Sequence, residues 1–483
     1  MTSLFAPDSN HASAIPITGV GSSDWPRIEA ALDPREAAYA RATGFTPKAG
    51  RIALLPGPDG TLARVLFGLG AANPARERLL AGTLAGALPP GTYRLEGTGF
   101  DGTEAALAWL LGGYRFTRYH AAVPAGEAVP AGEAVPAGGS VPAGPALPRL
   151  VAPEGVDAEA VSRIAAAVAL GRDLVNTPAN DLGPAEIEAA ARALAERHGA
   201  AVTVVSGDDL ARDFPLVHAV GAASPRAPRL IDLTWGDAAA PRVTLVGKGV
   251  AFDTGGLDIK PSAGMLLMKK DMGGAAAALA AAAMVMGAHL PVRLRVLIPA
   301  VENSVSGAAF RPGDVLRSRA GLTVEIGNTD AEGRLILADA LALADAETPD
   351  LLIDFATLTG AARVALGPDL PAFFTEDDAL AEAVAAAGRT AFDPVWRLPL
   401  HAPYAGLLDS KIADLNNAPG GPFAGAITAA LFLRRFAPAT RAHVHFDLYG
   451  WNPSTKPGRP EGGEVQTARL VYALLAQRYP AGT

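Results

Sequence analysis

The sequence predicts an α/β protein in two parts: a small N-terminal α/β domain, residues 1–153, and a larger C-terminal α/β sandwich domain, residues 154–483, built on a mixed central sheet. Three observations carry this prediction. Short β-rich runs alternate with helical stretches along most of the chain. A proline- and glycine-bearing repeat falls between the two parts. Two charged clusters lie at or just beyond the ends of predicted strands in the second part, where ligands commonly bind in open α/β sheets.

In the N-terminal part, residues 51–56 and 61–68 read as strands joined by the turn Gly57-Pro58-Asp59-Gly60. Residues 74–88 and 103–111 have helical patterns. The hexapeptide AVPAGE then occupies 122–127, repeats at 128–133, and returns as AVPAGG at 134–139. Pro and Gly in every copy exclude a helix or a central strand, so 122–145 is expected to be a solvated, semi-extended loop. Residues 147–152 return as a strand. A connecting helix is predicted over 157–175, with Asp157 as N-cap and Val161, Ile164, Val168 and Val175 at helical spacing. A further helix covers 184–198, with Pro184 in its first turn and Gly199 just past its end. The runs 202–205, 230–234, 243–246, 294–298 and 351–355 are β-rich and make the buried sheet. The Ala-rich run 273–289, about 17 residues, reaches only the lower edge of a membrane span. Alanine is weakly apolar, so a buried helix is expected there.

Composition sets bounds. The 483 residues have room for two or three domains, and 49% hydrophobic with 19% charged residues describes a globular chain. A net charge of −8 and a pI of about 5.6 oppose a nucleic-acid-binding surface over the whole molecule. The absence of cysteine excludes disulfides, thiolate zinc sites and cysteine nucleophiles. Residues 1–16 lack a basic start followed by an apolar core, so they do not read as a secretory signal. A soluble cytoplasmic protein is the expectation.

The chemistry-bearing residues cluster. Residues 328–335 read NTDAEGRL. If this segment is extended, Asp330, Glu332 and Arg334 share one face and present two anionic ligands beside one cation. Gly333 removes a side chain that would crowd them. Upstream, 246–271 reads VGKGVAFDTGGLDIKPSAGMLLMKKD. Lys248 follows a strand between two glycines, but a phosphate-cradling loop needs Ser or Thr after the lysine and an earlier glycine where Arg242 stands. Asp253 precedes the turn Thr254-Gly255-Gly256. Asp271 precedes the Ala-rich helix, where the helix dipole favours a carboxylate. Asp253, Asp271, Asp330 and Glu332 make four carboxylates, more than one metal ion needs. Bridging carboxylates can hold two divalent ions ~3.5–4 Å apart. The eight histidines form no zinc-binding helix motif, and His443 and His445, alternating on a predicted strand, are assigned a packed or surface role.

The segments VGKGVAFDTGGLDIK, MKKDMGGAAA and NTDAEGRL, with LVNTPANDL at 174–182 and DFATLTGA at 354–361, resemble the signature of the leucyl aminopeptidases, a family of dinuclear metallo-exopeptidases. The resemblance is strong from about residue 172 to 433. It implies that 154–483 is the catalytic domain, with two divalent ions, zinc or manganese. Asp253 and Glu332 would bridge them, Asp330 would complete one shell, and Lys248 with Asp271 the other. Lys260 would polarise the scissile carbonyl and Arg334 would hold a bicarbonate general base. Met268, Thr357 and Gly360 match positions lining the first side-chain pocket, although Met265 and Met268 also have the i, i+3 spacing of core packing. Peptides with a free N-terminus would be the substrates, and the resemblance implies a homohexamer. The alternative, a DNA-binding or scaffold relative, is opposed by the acidic balance and the lack of a basic run in the N-terminal domain. The stretch 449–466, YGWNPSTKPGRPEGGEVQ, departs from the Gly-rich sequence common in the family, and it leaves side-chain preference open.

Overall fold

In the computed structural model, residues 4–72, 77–97, 99–119 and 147–480 are described; the AVPAGE repeat lies outside them. The chain divides into two compact units. One contains residues 1–166 together with 454–460, and the other 167–453 with 461–483. The long helix Ala158–Asn176 crosses the division, and Asp157 caps it by accepting from Ala160 N at 2.9 Å.

The first unit carries a five-stranded sheet in the order Ile52–Pro56, Leu62–Gly70, Ile15–Gly21, Thr92–Glu96, Arg149–Leu150. The first pair is an antiparallel hairpin and the other neighbours run parallel. The expected helix over 74–88 is cut short. The described part holds only a 3-10 turn, Leu80–Thr83, and one helical turn, Leu84–Ala87. Its glycines serve packing instead: a Cβ on Gly82 would lie 2.6 Å from the Ala108 carbonyl oxygen of the helix Gly102–Gly112. Glycine that lets two backbones touch weakens a helix of its own.

The second unit is built on a nine-stranded mixed sheet. The path runs Trp396–Arg397, Ala372–Phe374, His443–Asp447, Leu351–Ala356, Arg242–Gly247, Arg293–Asn303, Arg229–Trp235, Ala201–Ser206, with Gly249–Asp253 paired to Arg293–Asn303. The four central strands, His443–Asp447 to Arg293–Asn303, run parallel, so their C-terminal ends meet along one edge. Alternate residues face opposite layers. Val246 belongs to the apolar core shared with Leu335, Ile336 and Ala340 of the helix Glu332–Asp345. Its neighbour Gly247 turns the other way, where a Cβ would lie 2.6 Å from Ala275 Cα. The Ala-rich helix Gly273–Gly287 therefore lies directly on the sheet, buried through Met286. Gly274 has no room for a side chain either, since its Cβ would meet the Phe355 carbonyl oxygen at 2.1 Å. Small residues here serve close approach of backbones. No helix among the described residues is long and apolar enough to cross a membrane.

Candidate active site

The candidate ligands stand at the C-terminal edge of the parallel strands, or on helices and in the turns that lead into them. Lys248 follows Arg242–Gly247, Asp253 ends Gly249–Asp253, and Thr357 follows Leu351–Ala356. Asp271 lies in the 3-10 turn Met268–Met272, which runs into the Ala-rich helix.

The octapeptide is not extended. A turn over 328–331 leads into the helix Glu332–Asp345. The turn is fixed from both sides. Asp330 N donates to Asn328 Oδ1 at 2.7 Å. Asn417 accepts from Gly327 N at 2.8 Å and donates to the carbonyls of Asn328 and Ala331 at 2.8 and 3.3 Å. Helical geometry then sends Glu332 and Arg334 apart, because two residues are rotated about 200° on a helix. Glu332 points to Lys248, whereas Arg334 Nη1 donates to the Asn417 carbonyl at 2.6 Å. Two of the three side chains still converge. One oxygen each from Asp253, Asp330 and Glu332 lies within 4.8 Å of the others, a grouping able to hold a metal ion.

Two ammonium groups organise the carboxylates. Lys248 Nζ lies 2.7 Å from Asp271 Oδ2 and 2.9 Å from Glu332 Oε1, and it donates to the Thr357 carbonyl at 2.9 Å. Gly333 makes room for it: a Cβ there would fall 2.7 Å from Nζ. Lys260 Nζ lies 2.8 Å from Asp253 Oδ2 and also contacts Asp330 Oδ1. Asp253 Oδ1 accepts from Gly255 N and Asn303 Nδ2, both at 2.9 Å. Gly255 and Gly256 adopt φ of 87° and 66°, a left-handed turn that suits glycine. Thr357 Oγ1 donates to the Asp271 carboxylate at 2.9 Å.

The electrostatics are unbalanced. Burial, reinforced by Asp253 and opposed by Lys248, pushes the Glu332 carboxyl up to about 8. Burial and Asp253 push Asp330 up to about 6 against the pull of Lys260. Burial works against the Lys248 ammonium, but Asp271 and Glu332 outweigh it and hold the group above the usual amine range. Burial takes the Arg334 guanidinium down to about 10, and its Nε has no partner among the described residues. Two carboxylates pushed toward neutrality beside two cations mark a centre with more acid groups than its lysines compensate.

Of the pocket candidates, Thr357 joins Asp271 directly, while Gly360 opens the helix Gly360–Leu366 with nothing within 4 Å of where a Cβ would stand. Met265 and Met268 are only half-buried and lie on separate short turns, so the core-packing spacing is not realised. His443 and His445 are packed: both bond the buried Asp354, at 2.7 and 2.5 Å, within the sheet. Asn303 and Asn417 escaped the sequence reading, since a lone asparagine carries no motif. Lys270 was passed over beside Asp271; it is buried, and its Nζ lies 4.8 Å from the centroid of the Tyr449 ring.

Comparison with known proteins gives one answer. The catalytic-domain model of the cytosol aminopeptidase family matches residues 169–475, and the N-terminal domain model of the M17 aminopeptidases matches residues 15–128. The probable cytosol aminopeptidase of Syntrophotalea carbinolica is 45% identical over 67% of this chain, and that match spans 66% of its own length. The probable cytosol aminopeptidase of Leifsonia xyli is 37% identical over 97% of this chain and 96% of its own. Among solved structures, the cytosol aminopeptidase of Coxiella burnetii is 46% identical with a TM-score of 0.88, covering 96% of this chain and 97% of that one. The bottromycin maturation enzyme BotP in complex with Mn is 34% identical with a TM-score of 0.84, covering 96% and 99%.

Proposed function

The chain belongs to the cytosol aminopeptidase family of exopeptidase hydrolases, and from that premise we propose that it removes the N-terminal residue of small peptides with two divalent cations, zinc or manganese. The observation that carries this reading is the double bracket of charge. Each of two ammonium groups lies between two carboxylates, Lys248 between Asp271 and Glu332, Lys260 between Asp253 and Asp330. Four carboxylates and one lysine nitrogen form a donor set that suits either metal.

Asp253 and Glu332 would bridge the pair, Asp330 would complete one shell, and Lys248 with Asp271 the other. When bound, the cations supply a water of near-neutral pKa and Lewis acidity toward the peptide carbonyl. Lys248 must release its proton to serve as a ligand, so binding is pH-dependent. Lys260 donates to the carbonyl oxygen as negative charge grows there. Arg334, whose Nε has no partner among the described residues, would hold a bicarbonate, and that anion would supply a general base. Asn303 and Thr357 fix the orientation of Asp253 and Asp271. The free α-amine of the substrate enters beside Lys248 and Asp271; an acylated amine has its lone pair delocalised into the amide and makes a poor ligand. The exposed apolar side chains Leu266, Ile412, Val364 and Phe423 support self-association, which we read as a homohexamer.

The test is hydrolysis of leucyl-p-nitroanilide by the protein reconstituted with manganese or zinc, beside its N-acetylated form. Release from the free amine alone is expected. No turnover of either, or equal turnover of both, overturns the reading.

A further inference from the structure

Beyond Asp271 the wall of the site becomes cationic, and residues 449–450 form part of it. Thr357, bonded to the Asp271 carboxylate, packs against Gly450, where a Cβ would lie 3.1 Å from Thr357 Cγ2 and 3.6 Å from the Lys270 carbonyl. Next to Gly450 stands Tyr449. Lys270 Nζ lies 4.8 Å and Arg363 Cζ 5.1 Å from the centroid of its ring. The loop is anchored, since Gln466 Oε1 accepts from both Tyr449 N and Gly450 N at 3.1 Å. Its amide donates to the Pro368 carbonyl at 2.7 Å.

Lys270 is only 5% exposed, and neither it nor Arg363 forms an ion pair or side-chain hydrogen bond with the described residues. The neighbouring Lys269, by contrast, donates to the Asn176 carbonyl at 2.7 Å and faces Trp451. Burial works against the Lys270 ammonium, Asp271 favours it, and Lys248, Arg363 and Lys260 oppose it, which places it within electrostatic reach of the candidate metal centre. A buried cation held on an aromatic face, with a second cation on the same ring and no carboxylate between them, is stabilised by an anion that enters from outside.

We propose that Lys270 and Arg363, mounted on Tyr449, select peptides whose N-terminal residue is acidic, aspartate or glutamate. This rests on the aminopeptidase reading, because it takes the α-amine to lie beside Lys248 and Asp271. The first side chain then leaves along Thr357 and Gly450 toward Lys270, and its carboxylate supplies the direct ion-pair partner that Lys270 and Arg363 lack among the described residues. Selection by charge complementarity here should exceed what an apolar pocket achieves by size, about 10–200-fold per methylene at most.

The experiment compares kcat/KM for glutamyl-, aspartyl-, leucyl- and lysyl-p-nitroanilide with the manganese-loaded full chain. The acidic substrates are expected to lead, with lysyl last. Lys270→Met should lower the glutamyl-to-leucyl ratio at least tenfold, mainly through KM. Arg363→Glu, at an exposed position, should lower the same ratio even if the first variant folds poorly. Leucyl preference in the native protein, or a ratio unmoved by both variants, overturns the proposal and leaves the aminopeptidase reading standing. No turnover of any substrate overturns both.

Discussion

Two buried ionic centres in the larger unit follow opposite rules. Arg172 and Glu464 form a matched pair, Nη2 to Oε2 at 2.8 Å, and Asn452 and Val465 N occupy the remaining carboxylate positions at 2.9 and 3.0 Å. Burial opposes the charge on Glu464, yet Arg172 and its hydrogen bonds hold the carboxyl down at about 2. At the candidate active site, four carboxylates share two lysines, and Glu332 is driven the other way, up to about 8. Glu464 and Glu332 are both buried. The difference is saturation: the first has every partner it needs and stabilises the fold, and the second has surplus acid groups suited to divalent cations.

The largest break in this comparison should come from Glu332→Gln. It is expected to lower kcat/KM by at least ~10³-fold, about 4 kcal/mol, while the metal-free protein keeps its melting temperature. A large drop in that temperature would make Glu332 a structural group like Glu464.

Glu464→Gln should do the reverse. A carboxyl held at about 2 in place of 4.5 contributes about 3 kcal/mol at neutral pH. Because the folded value is depressed, this stabilisation is complete above about pH 4.5 and is lost as pH falls toward 2. Urea midpoints of native and variant proteins should converge over that window, with bound metal unchanged at pH 7. Parallel midpoints would contradict the pair's role.

A smaller effect is expected at Lys260, whose side chain is 15% exposed in the second centre. Lys260→Met should reduce kcat about 10²-fold and keep the metal content, as a donor to a developing oxyanion would. Smallest is Asn417→Ala. Loosening the turn that carries Asp330 should weaken manganese affinity about tenfold, read by chelator competition.

The fold of the larger unit was legible because its signals are local and strong: apolar β-rich runs at 243–246 and 351–355, Pro184 and Gly199 at helix ends, and an apolar stretch too rich in alanine for a membrane. The first unit was less so. The turn at 80–87 looked helical, but Gly82 answers to contact with the helix Gly102–Gly112, which no local pattern records. At the site, Asp330 and Glu332 of the octapeptide do converge with Asp253, but not for the geometric reason first given. An i, i+2 rule for strands was applied to a helix start, and convergence comes instead from the turn that Asn417 holds. Asn303, Asn417 and Lys270 act through residues distant in sequence, so nothing beside them in the chain marks them.

The most direct test of charge surplus is calorimetric titration of manganese into chelator-stripped protein. Two ions per chain are predicted, with an observed enthalpy that varies with the buffer's ionisation enthalpy, the mark of proton release, and fewer than two in Glu332→Gln. One ion or none in the native chain, or an unchanged stoichiometry in the variant, would contradict it.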